Sequence, residues 1–136
     1  MVTLNSSYEG SLRCRATHAP SGATLLTDAP VDNQGKGESF SPTDLVATAL
    51  GACMMTIIGI VADRRGLALV GMTAETVKVM SDAPPRRIAA LKTRITIPLP
   101  ADHEHRVALE QAALTCPVHK SLHPEIDASV EFIWIG

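Results

Sequence analysis

An α+β fold is what the order of local patterns predicts: strands, a long helix, strands, a short helix and a last strand. Three observations carry that order. Leu12, Cys14 and Ala16 alternate with Arg13, Arg15 and Thr17, the period of two that marks a half-buried strand. Leu45 to Ala62 is apolar throughout and follows a well-formed helix start. Ile126, Ala128, Val130, Phe132 and Trp134 alternate with Asp127, Ser129, Glu131 and Ile133, which closes the chain on a strand. With 136 residues, no internal repeat and no linker, the expectation is one domain over residues 1–136, large enough to bury a core.

The elements follow in order. Pro20-Ser21-Gly22 is a turn signal, and Ala23 to Ala29 reads as the returning strand of a hairpin. Pro30 to Phe40 is polar, holds Gly35 and Gly37, and forms the loop into the long helix. Ser41 suits the N-cap, Pro42 the first helical position and Asp44 the third, which completes a capping box. The helix is expected to reach about Arg65, where Gly66 stops it, a length on the order of 35 Å. No polar stripe interrupts it between Leu45 and Ala62, so it must be covered on every side. A chain this small has little left to do that alone. A second subunit is the expected cover, with Ala47, Thr48, Ala49, Gly51, Ala52 and Gly59 permitting close helix approach.

Beyond the helix, Met72 to Met80 reads as a strand, Asp82 to Pro85 as a turn, and Ile88 to Ile97 as a second strand. Leu91, Thr93, Ile95 and Ile97 take one face of it; Lys92, Arg94 and Thr96 take the other. A short helix is expected from roughly His103 to Thr115, with Leu109, Ala112, Ala113 and Cys116 at helical spacing. Pro117 should end it, because a residue before proline is pushed out of the α region.

Composition narrows the function. Hydrophobic residues make up 46% and charged residues 19%, which excludes a disordered chain. A formal net charge of −2 gives no electrostatic reason for nucleic acid or an anionic membrane as partner, and Arg64-Arg65 and Arg86-Arg87 are pairs, not a patch. Leu45 to Ala62 is long enough for a membrane span. Its small residues, its strand-like flanks and the lack of a second span favour a buried helix instead. The first ten residues, MVTLNSSYEG, carry neither a basic nor an apolar signal region. Three cysteines, an odd number, fit a reducing compartment, so a cytoplasmic setting is expected.

Two of those cysteines invite chemistry. Cys53 lies three turns into the long helix, too far from its N-terminus for the dipole to stabilise a thiolate, and apolar burial opposes ionisation. As a nucleophile it would need a cation from elsewhere, Arg13 or Arg15; otherwise it is a packed core cysteine. Cys116 stands where a helix breaks, a position that keeps a thiol protonated and suits a resolving role. Cys14 shares a face with Leu12 and Ala16 and is assigned to structure. Metal binding by Cys116, His119, His123, His103 and His105 is the rival. It lacks a Cys-x-x-Cys pair, and helical register would scatter His103 and His105 to different faces. No phosphate loop, nucleophile elbow or dinucleotide fingerprint is present.

Ser41-Pro-x-Asp-Leu-x-x-x-Ala-Leu-Gly-Ala-Cys53, taken with Cys116-Pro-Val-x-Lys-x-Leu122, resembles the OsmC/Ohr family of osmotically induced and organic hydroperoxide resistance proteins. The resemblance implies antiparallel sheets wrapped around long central helices in an intertwined homodimer, with two active sites at the subunit interface. It implies a peroxidatic role for Cys53, a resolving role for Cys116 and a thiolate-stabilising role for Arg13, with Arg15 as the substitute. The implied reaction is reduction of an organic hydroperoxide through a sulfenic acid and a disulfide, which a small or protein dithiol then reduces. No metal or bound organic cofactor is called for. One position departs from the pattern. The family's glutamate ten residues before the peroxidatic cysteine is here Thr43; Asp44 and Glu38 are the nearby carboxylates. The alternative reading is a non-catalytic dimer of the same fold that binds a small apolar or sulfur-containing ligand.

Overall fold

The computed structural model describes residues 1–136, which form two compact units, Met1–Val46 and Ala47–Gly136.

The first unit is built on a three-stranded antiparallel sheet of β1 (Leu4–Gly10), β2 (Arg13–His18) and β3 (Thr24–Asp28), with β2 in the centre. β1 has no counterpart among the expected strands. Its residues, LNSSYEG, are almost all exposed and carry little apolar alternation, so only the pairing with β2, from Leu4↔His18 to Tyr8↔Cys14, reveals it. The β1–β2 turn also corrects the expected place of Leu12. Ser11 and Leu12 both have positive φ, 54° and 62°, as a two-residue hairpin turn requires if its twist is to match the strands. Leu12 therefore sits in the turn and is exposed, while its carbonyl accepts the Ala29 N–H at 3.2 Å. The Pro20–Gly22 turn forms as expected, with His18 and Ala23 closing it (His18 N–H to Ala23 O, 2.8 Å). From Pro30 to Phe40 the chain makes one 3₁₀ turn (Val31–Asn33) and returns to β3, where Phe40 O accepts the Asp28 N–H at 3.1 Å. Gly35 passes so near Ala29 that a Cβ there would fall 1.7 Å from the Ala29 carbonyl oxygen.

Helix α1 (Pro42–Asp63) begins in the first unit and runs on through the second. Its capping box is complete: the Ser41 N–H donates to Asp44 Oδ2 (2.8 Å) and the Asp44 N–H to Ser41 Oγ (3.1 Å). It ends at Asp63, and the chain leaves it through Gly66, at φ 69°, where the N–H groups of Gly66 and Leu67 turn back onto the carbonyls of Asp63 and Ala62.

In the second unit, β4 (Thr73–Met80), β5 (Ile88–Ile97) and β6 (Val130–Trp134) form a sheet in that order. β4 and β5 are antiparallel, but β6 runs parallel to β5, so this sheet is mixed where an antiparallel one was expected. The reason lies in the crossover: α2 (Arg106–Leu114) and α3 (Pro117–Ser121) carry the chain back to the end from which β5 started. The core is the inner face of β5, Leu91, Thr93, Ile95 and Ile97, together with Leu109, Ala112 and Ala113 of α2 and one stripe of α1. That stripe, Ala47, Leu50, Gly51, Met54, Ile58 and Ala62, recurs every three or four residues. Contact is close at Gly51, where a Cβ would lie 3.2 Å from Thr76 Oγ1 and 3.4 Å from Ala74 Cβ. Opposite the stripe, Thr48, Ala49, Ala52, Thr56 and Ile60 are exposed in the single chain.

By length and composition α1 could cross a membrane. Its packing on β4 argues otherwise, because the unpaired outer edges of β4 and β6 would then stand in lipid with unsatisfied backbone groups.

Two expectations around the short helix are corrected. α2 starts at Arg106, so His103 and His105 lie in the preceding turn. Their rings are 5.6 Å apart and the His105 N–H donates to His103 Nδ1, because consecutive turn residues fold back on one another instead of diverging around a helix. Pro117 does not merely end a helix; it opens a new one, occupying a first position whose N–H would have no partner anyway.

Candidate active site

Cys116 is the N-cap of α3, and its backbone (φ −55°, ψ 131°) is the extended one that the following proline imposes. Its side chain is 0% exposed, at the end of the buried row formed by Leu109, Ala112 and Ala113. The sulfur accepts the His119 N–H at 3.3 Å. The Cys53 thiol lies close enough to bear on its ionisation, so the two expected cysteines are neighbours. Burial pushes the Cys116 thiol up from its ordinary range, and the neighbouring Cys53 pushes it further. The N–H groups of His119 and Val118 pull it the other way without reversing the outcome. A protonated Cys116 is thus the resting state, though for a different reason from the one read in the sequence: burial, since the helix end expected there is a helix start. Cys53 is half-buried on α1, and neither cysteine is in a disulfide.

Arg13 stands at the start of β2 and belongs to a three-residue charge cluster in the first unit. Its Nη2 pairs with Glu38 Oε2 and lies 3.6 Å from Asp28 Oδ2. These carboxylates, Glu38 above all, hold the guanidinium above even its usual pKa, so it is a fixed positive charge. Asp28 is 1% exposed, accepts the Glu38 N–H on Oδ2 at 3.1 Å, and leaves Oδ1 buried without a hydrogen-bond partner. One buried carboxylate therefore holds both the arginine and the loop that supplies its exposed partner. Arg15, the substitute candidate, is engaged by Glu9 at 2.7 Å. Cys14 is half-buried, opposite Tyr8 and Thr27 in the strand register.

A family model described as OsmC-like protein matches residues 35–131. The chain belongs to the OsmC family. Solved structures agree with that membership. A protein from Psychrobacter arcticus 273-4, described provisionally as an osmotic stress induced and detoxification response protein, is 48% identical, with 97% of this chain and 96% of that chain covered and a TM-score of 0.91. An organic hydroperoxide resistance protein OsmC from Legionella pneumophila is similar in fold at 16% identity, with 98% and 96% coverage and a TM-score of 0.78. An organic hydroperoxide resistance protein from Elizabethkingia anophelis, with thiocyanate bound, is similar in fold at 13% identity, 98% and 95% coverage and a TM-score of 0.78. None of the curated proteins matches.

Within this OsmC-family chain the departure at Thr43 has a structural counterpart. The Thr43 hydroxyl lies 3.2 Å from Ser41 Oγ and Asp44 serves the capping box, while the carboxylate on Arg13 comes from Glu38. Asp28 was missed in the sequence. The hairpin register could have found it: counting outward from the His18–Ala23 closing pair sets Arg13 opposite Asp28.

Proposed function

We propose that this OsmC-family protein is a thiol-dependent reductase of organic hydroperoxides, with Cys53 as peroxidatic and Cys116 as resolving cysteine. The observation that carries the reading is the juxtaposition of a half-buried Cys53 and a fully buried Cys116, whose thiol burial and Cys53 push up. The Cys53 thiolate attacks one peroxide oxygen; the O–O bond breaks, the alcohol leaves with a proton, and Cys53 becomes a sulfenic acid. The Cys116 sulfur then displaces that hydroxyl as water to form the disulfide, and a small or protein dithiol supplies two electrons to reopen it.

Arg13 is assigned the thiolate-stabilising role, and its ordered pairing with Glu38 and Asp28 supports it as a fixed cation. The preference for organic over inorganic peroxide rests on the apolar side of α1 that Cys53 shares with Ala49, Ile57 and Ile60, and two of the structural neighbours are named for resistance to that substrate class. The same open side of α1 is where a second copy of the chain is proposed to sit, as a homodimer in the cytoplasm.

The test is a free-thiol count and intact mass after one equivalent of cumene hydroperoxide, on wild type and Cys116→Ser. Loss of two thiols in wild type and a trapped sulfenic acid at Cys53 in the variant support the cycle. Survival of both thiols in excess peroxide refutes it, and a ligand-binding dimer becomes the reading to pursue.

A further inference from the structure

We propose that electrons return to the oxidised site through Cys53. An incoming thiolate attacks the Cys53 sulfur of the Cys53–Cys116 disulfide, and Cys116 departs as thiolate. The proposal rests on the two-cysteine reading above and concerns its reductive half, where a symmetrical disulfide bond offers two sulfurs to attack.

Access separates them. Displacement at a disulfide needs the attacking sulfur to approach one sulfur from the side opposite its partner. Cys116 has no exposed surface within its own chain, and a second subunit can only subtract from that. Cys53 is half-buried within its own chain, so of the two sulfurs only it offers surface to an attacker, and the second copy proposed above must leave part of it uncovered.

The leaving sulfur has two donors to receive its charge. As the S–S bond breaks, charge develops on the sulfur that departs. The Cys116 sulfur already accepts the N–H of His119 at 3.3 Å and is reached by that of Val118. Both donors are fixed because Pro117 sets the first turn of α3. Cys53 lies mid-helix, where the surrounding N–H groups are spent on the carbonyls four residues earlier. Burial, the largest cause of the raised Cys116 thiol, disfavours its departure as thiolate, so access decides between the two sulfurs; only the smaller contribution from the charge on Cys53 is relieved in this step. During this step Cys53 is held in a mixed disulfide and carries no charge, so that contribution is gone while the two N–H donors remain.

The electron count closes with a dithiol. Its first thiolate forms a new S–S bond to Cys53 as the bond to Cys116 breaks, and Cys116 takes up a proton. The second thiol of the reductant loses its proton and attacks its own bound sulfur, the reductant leaves as an internal disulfide, and Cys53 is freed as thiolate, ready for the next peroxide.

The experiment uses the full chain carrying Cys14→Ser, so that only the two site thiols report. The disulfide is formed in one arm with cumene hydroperoxide and in another with diamide, which needs no peroxidase activity. A short pulse of reduced glutathione is quenched with acid, the protein is unfolded, free thiols are alkylated, and the peptides are weighed. Glutathione on Cys53 with alkylated Cys116, in at least about tenfold excess over the reverse, is the expected result. Equal labelling, or glutathione mainly on Cys116, overturns the proposal. A disulfide that forms with diamide but not with peroxide refutes the peroxidase reading while the regiochemistry is still measured; no disulfide in either arm refutes both. A second measurement compares Cys53→Ser with Cys116→Ser in the same background: the lone Cys53 should react with Ellman's reagent at least about 100-fold faster than the lone Cys116. Comparable rates overturn the access argument.

Discussion

Gly51→Ala sets two effects of known size against each other. Alanine is favoured over glycine inside a helix by about 1 kcal/mol. The methyl it adds would sit 3.4 Å from Ala74 Cβ, an ordinary contact, but 3.2 Å from Thr76 Oγ1, closer than such contacts normally come, so the threonine must yield. Thr76 is poorly placed to do so, because its hydroxyl is hydrogen-bonded at 3.1 Å to that of Thr93, which is itself buried. Overpacking of this kind costs roughly 1–3 kcal/mol. The net expectation is destabilisation of about 1 kcal/mol, read as a lower urea midpoint at unchanged slope. Gly51→Ala with Thr76→Ala removes the obstructing oxygen, and the pair should be more stable than the sum of the two single changes by about 1 kcal/mol. Because Cys53 is two residues further along the same helix, the lone Gly51→Ala variant should also form the Cys53–Cys116 disulfide more slowly. If Gly51→Ala alone raises stability by the full helix-propensity gain, the close packing of α1 on β4 is wrong, and with it the placement of Cys53.

Three further outcomes are expected. Asp44→Ala removes one half of the capping box and should cost about 1 kcal/mol in thermal or chemical unfolding, while Asp44→Asn should cost less. In the reduced protein the raised Cys116 thiol makes a stability contribution that is whole below the unfolded thiol range, near 8.5, and is lost as pH rises through the folded value. Unfolding free energy should therefore fall at alkaline pH in wild type and fall less in Cys116→Ser. Glu110 accepts the Trp134 indole N–H and the Arg106 Nε, both at 2.9 Å. Glu110→Ala should shift the emission of this single tryptophan and cost about 1–2 kcal/mol, whereas Glu110→Gln should retain most of both.

Much of the architecture was legible because it rests on local rules. Ser41, Pro42 and Asp44 specify a helix start through bonds spanning three residues, and Gly66 specifies its end through one backbone conformation; both form as read. The alternation in β5 sorts Leu91, Thr93, Ile95 and Ile97 inward by solvation alone, which is a property of the strand itself. Where local signal was thin, the reading failed. β1 is polar and exposed, and its strand exists only because β2 offers it an edge. The parallel direction of β6 depends on where two helices carry the chain, and the alternation of a strand is the same in either direction.

The chemistry divides along the same line. Residue types and their order drew attention to Cys53 and Cys116 as candidates beside a packed-core reading of Cys53, and the family resemblance added Arg13, with Arg15 as its substitute. That Cys116 is buried against Cys53 and caps α3, and that Asp28 and Glu38 jointly hold Arg13, was decided by tertiary structure alone. Burial and ion pairing arise from groups far apart in the chain, 63 positions between the cysteines and 25 between Arg13 and Glu38. Local propensity carries no term for such distances; only the folded chain sets which of those groups meet, and so how each one titrates.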